Sequence, residues 1–248
     1  GREMKVAIIL GTRPEIIKMS PVIRSLDKYN SEHRTSNIEY FILHTGQHYS
    51  YNLDSVFFEQ LELPHAKYNL EVGSGSHAEE TAKILIGVEK VLQEEKPDVV
   101  LVEGDTNSVL AAALAASKLH IKVGHIEAGL RSYDRSMPEE INRILTDHCS
   151  DYLFAPTEKA KAILLSEGIL QEKIFVTGNT IVDAVHQNLK IAKGSSNLEL
   201  RTLNIEPSTQ DSGLLASDSR LQTLDSRLST RNYFLVTLHR QENVDNGA

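Results

Sequence analysis

The run Lys5-Val6-Ala7-Ile8-Ile9-Leu10-Gly11-Thr12-Arg13-Pro14-Glu15 passes within eleven residues from a strand to the start of a helix. Lys5–Leu10 is apolar beyond its first residue and does not alternate, which suits a strand buried on both faces. Gly11 permits a tight turn, and Pro14 suits the first helical position. The same sequence of events recurs along the chain. Further strand candidates are Tyr40–His44, Asp98–Glu103, Lys122–Glu127, Tyr152–Ala155, Ile174–Thr177 and Tyr233–Leu238. Helix-length segments separate them: Pro14–Lys28, Asn52–Gln60, His77–Glu95, Ser108–Lys118, Pro138–Ser150, Thr157–Glu167 and Thr180–Ala192. Strand–helix–strand repetition implies an α/β fold with a parallel sheet and helices on both faces. The right-handed crossover rule makes that sheet doubly wound.

Several strand ends run straight into glycine and polar residues, as in Thr45-Gly46-Gln47-His48, Glu103-Gly104-Asp105-Thr106, Glu127-Ala128-Gly129 and Thr177-Gly178-Asn179. In open parallel sheets the ligand lies outside the carboxyl ends of the strands. One shared site at those ends is therefore expected.

Composition narrows the function. The 248 residues carry 26 Lys+Arg against 34 Asp+Glu, a net charge of −8. Such a chain has no basic footprint for nucleic acid. No apolar stretch reaches the roughly 20 residues that cross a bilayer. Gly1 to Glu3 read as a leftover ahead of a start at Met4, without an apolar signal core. The single cysteine, Cys149, excludes an internal disulfide and a multi-thiolate metal site in one chain. The expected class is a soluble intracellular protein. Gly194–Arg231 breaks the pattern: it is Ser/Thr/Asp/Leu-rich in its second half, and Asp218-Ser219-Arg220-Leu221 recurs as Asp225-Ser226-Arg227-Leu228. It reads as a linker or insertion, or alternatively as a docking helix. The expected division is a first domain over 4–193, a linker or insertion over 194–232 and the start of a truncated second domain over 233–248.

Three groups of residues suggest chemistry. At Gly11–Glu15 the helix start offers free N–H groups and a dipole to an anion, with Arg13 placed to clamp a phosphate and Lys18 about a turn beyond. An ordinary turn with a surface arginine is the alternative. Asp105, Glu127 and Glu139 follow strands or open a helix, where carboxylates can converge for proton abstraction and delivery. Asp105 is equally placed to cap the next helix, and Glu139 and Glu140 to be first-turn acids. His239-Arg240 follows the last strand candidate, in position to contact phosphates or a reacting group. Zinc readings fail. His125-x-Glu127 lacks the Pro-Cys-x-x-Cys that a deaminase site needs. His44 and His48 are separated by helix-breaking Thr45-Gly46.

Taken together these residues resemble the UDP-N-acetylglucosamine 2-epimerases, most closely the non-hydrolysing kind. The matching motifs are Gly11-Thr12-Arg13-Pro14-Glu15-Ile16-Ile17-Lys18-Met19, Thr45-Gly46-Gln47-His48, Pro97–Thr106, Val123–Arg131, Pro138–Arg143, Thr177–Ala184 and Val236–Asn243. They run in family order. The resemblance implies a glycosyltransferase-B-like fold of two Rossmann-like domains, of which this chain holds the first and the beginning of the second. It implies interconversion of UDP-N-acetylglucosamine and UDP-N-acetylmannosamine, without cofactor or catalytic metal, in a cytoplasmic homodimer. UDP is eliminated to give 2-acetamidoglucal and then added back with C2 inverted. Carried over by motif, Asp105, Glu127, Glu139 and His239 are the catalytic candidates. Arg13, Lys18, Asp105, Glu127, His239 and Arg240 are the substrate contacts. Gln47 and His48 are candidates for activation by a second substrate molecule, although Glu71–Ser76 carries no basic residue beside them. The Ser208–Arg231 stretch has no counterpart in the family pattern. Other readings are the hydrolysing epimerase, which releases N-acetylmannosamine and UDP; a UDP-sugar glycosyltransferase of the same fold; and a non-catalytic sugar-nucleotide-binding fragment.

Overall fold

The structure is a computed structural model and describes residues 4–33, 38–47 and 51–194. The described part is one seven-stranded parallel sheet in the order β3-β2-β1-β4-β5-β6-β7. The strands are β1 (Met4–Leu10), β2 (Ile38–His44), β3 (Tyr68–Asn69), β4 (Val99–Glu103), β5 (Lys122–Ile126), β6 (Tyr152–Ala155) and β7 (Ile174–Val176). The helices are α1 (Arg13–Glu32), α2 (Tyr51–Gln60), α3 (His77–Glu95), α4 (Asn107–Lys118), α5 (Pro138–Cys149), α6 (Glu158–Ser166) and α7 (Thr180–Gly194). The doubly wound α/β class expected from strand–helix alternation is the one observed. Among the described residues helix ends and strand ends lie within a few residues of expectation, and the two-residue β3 is an addition; the strand candidate Tyr233–Leu238 and the linker and second-domain start expected beyond Gly194 lie outside the described residues.

β1 shows why its sequence does not alternate. Val6, Ile8 and Leu10 pack on one face with Ile16, Met19 and Ile23 of α1 and Phe58 of α2. Ala7 and Ile9 pack on the other with Ile84 and Val88 of α3 and the alanines of α4. Both faces are covered, so every residue of the strand interior is apolar. Ala111, Ala112, Ala115 and Ala116 let α4 lie close against the sheet. A smaller third cluster, with Leu153, Ala160, Leu164 and Ile174, closes the β6–β7 end.

α1 contains Pro21, which cannot donate to the carbonyl of Ile17. The Ser20 hydroxyl donates to that carbonyl at 2.8 Å instead. The helix continues to Glu32, past the Lys28 expected from pattern, and Arg24 ties it to α7 through Gln187 Oε1 at 2.7 Å and to the Leu61 carbonyl at 2.6 Å.

The strand order reverses between β1 and β4, so a crevice opens there at the carboxyl ends. Gly11 ends β1 at that point. A Cβ placed on it would lie 2.1 Å from Ser108 Oγ and 2.7 Å from Thr45 Oγ1. Gly11→Ala is therefore expected to push the start of α4 off β1 and to destabilise the chain by about 1–3 kcal/mol. A lowered thermal midpoint measures this; an unchanged midpoint would contradict the close approach.

Candidate functional site

The crevice is built around one ammonium group. Lys18 lies a turn into α1, and its Nζ is 2.6 Å from Glu127 Oε2 and 3.0 Å from Glu103 Oε1. Glu103 is the last residue of β4 and its side chain is 2% exposed. Glu127 follows β5. The strand candidate Lys122–Glu127 is one residue too long, because Glu127 turns into the left-handed region with φ 72°. That conformation costs a non-glycine residue about 1–2 kcal/mol. The two hydrogen bonds from the Glu127 and Ala128 N–H groups to the Phe154 carbonyl, at 3.1 and 3.2 Å, hold it there. Asn179, beyond β7, donates to Glu127 Oε1 at 3.0 Å. Glu103 and Glu127 thus share one ammonium.

These contacts divide the two carboxyls. Burial pushes Glu103 well above the ordinary range, and its contact with Glu127 adds to the rise against the pull of Lys18. Burial also pushes on Glu127, but the contacts with Glu103, Lys18 and Asn179 outweigh it and its pKa is lowered. Burial lowers Lys18 too, and the two glutamates more than restore it, so the ammonium is held charged. The same cluster thus pushes the two carboxyls in opposite directions.

Asp105 follows Gly104, which has φ 88°. Its carboxylate pairs with the Arg143 guanidinium, and its carbonyl accepts from Asn142 Nδ2 at 2.9 Å. The capping role belongs to its neighbour: Thr106 accepts from Val109 N. Glu139 sits in the first turn of α5, half-exposed, without a hydrogen bond or ion pair among the described residues. Glu140 is the buried first-turn acid. It accepts from Ser132 N at 2.8 Å and Tyr133 N at 3.0 Å, and contacts Arg143 at 3.3 Å. Burial raises Glu140, but those partners leave its pKa lowered.

The start of α1 departs from expectation. The N–H groups of Gly11 and Thr12 do not stand open for an anion. Both donate to Glu15 Oε2, at 3.1 Å from Thr12, while Thr106 Oγ1 donates to Glu15 Oε1 at 2.5 Å. The reason is local: a glutamate three residues past the cap folds back on the helix start and supplies the anion itself. Arg13 remains beside this turn with its guanidinium 5.0 Å from the Phe57 ring centre.

Contacts beneath the crevice shape the loops. His125 is fully buried. Its Nε2 lies 2.8 Å from the Gly104 carbonyl and its Nδ1 2.6 Å from Asp147 Oδ1. Asp147 also accepts from Gly129 N at 3.1 Å and pairs with Arg131 at 2.8 Å. Burial raises Asp147, and its contacts with His125 and Arg131 reverse this, leaving it low. The loops bearing Asp105 and Glu127 are therefore tied together under the crevice. Gly129, at φ 81°, passes so close to α6 that a Cβ would lie 2.6 Å from the Ala160 carbonyl oxygen.

Gln47, a candidate for an allosteric contact, is buried. It accepts from Ser108 Oγ at 2.6 Å and Ser108 N at 3.2 Å, which joins the end of β2 to α4. His48, His239 and Arg240 lie outside the described residues. Cys149 is half-buried, and burial pushes its thiol up, away from a nucleophile's range. Among the described residues no helix is long and apolar enough to cross a membrane. Glu103, Glu15, Arg143, Asn179 and the His125–Asp147 pair are the site residues that motif reading passed over. Glu103 carried the signal used for Glu127, a carboxylate ending an apolar strand.

A family model described as UDP-N-acetylglucosamine 2-epimerase matches residues 30–248. The chain belongs to the UDP-N-acetylglucosamine 2-epimerase family. A UDP-N-acetylglucosamine 2-epimerase of Methanocaldococcus jannaschii is 58% identical over 243 residues, 98% of this chain. This chain spans 58% of that relative's length. The crystal structure of the M. jannaschii UDP-GlcNAc 2-epimerase in complex with UDP-GlcNAc and UDP is similar at TM-score 0.73 and 66% identity, covering 78% of this chain and 52% of that one. The Neisseria meningitidis enzyme bound to UDP-GlcNAc is similar at TM-score 0.71 and 43% identity, over 77% of this chain and 50% of that one.

Burial places Glu15 at a pKa of about 7, against the pull of its three hydrogen bonds. The unfolded chain releases this proton near 4.5, the ordinary glutamate value, while the folded chain keeps it until about 7. Stability therefore falls as pH rises through that window, by about 3 kcal/mol for this group alone. Chemical denaturation at several pH values should show a smaller fall for Glu15→Gln than for the parent chain. Equal falls would mean that Glu15 titrates normally.

Proposed function

We propose that this chain binds UDP-N-acetylglucosamine at the β1/β4 crevice and supplies acid/base groups for its conversion to UDP-N-acetylmannosamine. One observation carries the reading: in a chain of the 2-epimerase family, Lys18, Glu103 and Glu127 meet in the crevice where the strand order reverses, with the β4–α4 loop that bears Asp105 tied alongside. The remainder of the proposed enzyme, including the contacts of His239 and Arg240, belongs to a second Rossmann-like domain.

The reaction has a demanding first step. The C2 hydrogen of a sugar is a very weak acid, so its removal must accompany departure of the diphosphate. The C2–H electron pair forms the C1–C2 double bond of 2-acetamidoglucal as the C1–O bond breaks toward UDP. In the return step UDP oxygen bonds to C1 and a proton is delivered to the opposite face of C2. A single base working on one face would only regenerate the starting sugar. Inversion thus calls for carboxyls on two sides, and Asp105, Glu127 and Glu139 are the groups proposed for the transfers. Arg13 and Lys18 contribute positive charge toward the leaving diphosphate, whose stabilisation lowers the barrier. The N–H groups of Gly11 and Thr12, just ahead of α1, are taken by Glu15 and do not share that task. A lone free thiol suits the proposed cytoplasmic setting.

Proton NMR of UDP-N-acetylglucosamine in D2O, with a protein of full family length carrying this sequence, tests the proposal. The expected product is a mannosamine nucleotide deuterated at C2. Free N-acetylmannosamine with UDP would move the chain to the hydrolysing kind, and unchanged substrate would refute catalysis. Asp105→Asn and Glu127→Gln are each expected to reduce turnover ~100-fold or more, the scale of acid/base groups. Near-native rates in both would remove them from the mechanism.

A further inference from the structure

The family motifs do not single out Glu103, yet it is the most deeply buried carboxyl touching Lys18. Its side chain is 2% exposed against 13% for Glu127. Two carboxyls and one ammonium meet in this space. If both carboxyls were ionised, one cation would face two largely buried anions, with Glu15 adding a third acid nearby. Like charges in contact cannot both persist at low dielectric, and one takes up a proton. The hydrogen bonds decide which. Glu127 accepts from Asn179 and is within 2.6 Å of Lys18, so its charge is supported on both oxygens. Glu103 has the Lys18 ammonium at 3.0 Å, and its Oε1 is buried without a hydrogen-bond donor among the described residues.

We propose that Glu103 is a positioning residue that holds a proton against Glu127, so that one acid, one carboxylate and one ammonium form a unit with a single compensated charge pair. The arrangement does two things. It leaves Glu127 as the counter-ion of Lys18 and fixes the direction of its carboxylate by a short chain of donors. It also couples the two protons, because any proton that Glu127 gains or loses changes the field on Glu103. This role rests on the epimerase reading of the crevice, whereas the protonation of the pair does not.

The groups that face Glu103 are Lys18 and Glu15 from α1 and Glu127 from the β5–α5 loop, with Asn179 one contact further on. The first test needs no substrate. With glutamate carboxyl carbons labelled with 13C, an NMR titration of the 248-residue chain should show one resonance titrating well above the ordinary range besides that of Glu15, which Glu15→Gln identifies. Glu103→Gln should remove it. Glu127→Gln should move it downward, since Lys18 then pairs with Glu103 alone. Persistence of the resonance in Glu103→Gln, its absence from the parent chain, or no movement in Glu127→Gln would each overturn the pair.

The second test uses a full-length protein with C2 exchange as the readout. Above the titration of Glu103 the unit carries an extra negative charge, so turnover should fall on the basic side. Glu103→Gln keeps a neutral donor. It should retain turnover within about tenfold and lose that basic fall, while Glu103→Ala should cost about 100-fold, the scale of a misplaced group. Equal losses in both variants with an unchanged pH profile would refute the positioning role. An inactive parent protein would refute the epimerase reading, and the NMR titration would still decide the protonation.

Discussion

A single half-buried ammonium holds the crevice together. Lys18 reaches from α1 to the ends of β4 and β5, and no backbone hydrogen bond makes that connection. Exposed ion pairs contribute about 0–1 kcal/mol, but removing one partner of a buried pair costs about 3–5 kcal/mol because the other charge is left without compensation. Lys18 is 25% exposed at its side chain, so its effect lies between those limits. The left-handed turn at Glu127 fits this account: the strained residue is the one held by Lys18, Asn179 and two backbone bonds.

The loops around the crevice follow a common scheme. Each is organised by a carboxylate that collects backbone N–H groups. Glu15 collects Gly11 and Thr12, Glu140 collects Ser132 and Tyr133, and Asp147 takes Gly129. A buried carboxylate needs donors, and a loop leaving a parallel strand has donors to spare. Each acid therefore fixes a loop while the loop solvates the acid. Glu15 follows the scheme only in part, since its three donors do not offset full burial and its pKa remains near 7. The acid that does most for the fold at the α1 start is thus also sensitive to pH near neutrality.

The fold was legible because its signals are local and repeated. Unbroken apolar runs such as Ala7–Leu10 and Val99–Val102 mark strands covered on both faces, and capped helices lie between them. β3 was not legible, since two residues carry no periodicity and its place is set by pairing with Leu43 and His44. The site was legible where a charged residue stands at a strand end, as with Asp105 and Glu127. Glu103 has the same signature but was passed over, because what distinguishes it is depth and a shared cation 85 positions earlier in the chain, at Lys18. The helix start at Gly11–Glu15 leaves two readings open for a related reason. Its sequence shows donors and an acid, and only the folded turn shows that the acid takes the N–H groups of Gly11 and Thr12.

The central claim is spatial: the sugar's C2 reacts in the crevice that Lys18, Glu103 and Glu127 line. The position of UDP-N-acetylglucosamine in a crystal of a full-length protein carrying this sequence tests it most directly. The account predicts C2 within proton-transfer reach, about 3 Å or one water away, of the Glu127 or Asp105 carboxylate, with the diphosphate directed toward Lys18 and Arg13. A sugar bound away from the β4 and β5 ends, with none of these side chains near C2, would contradict it.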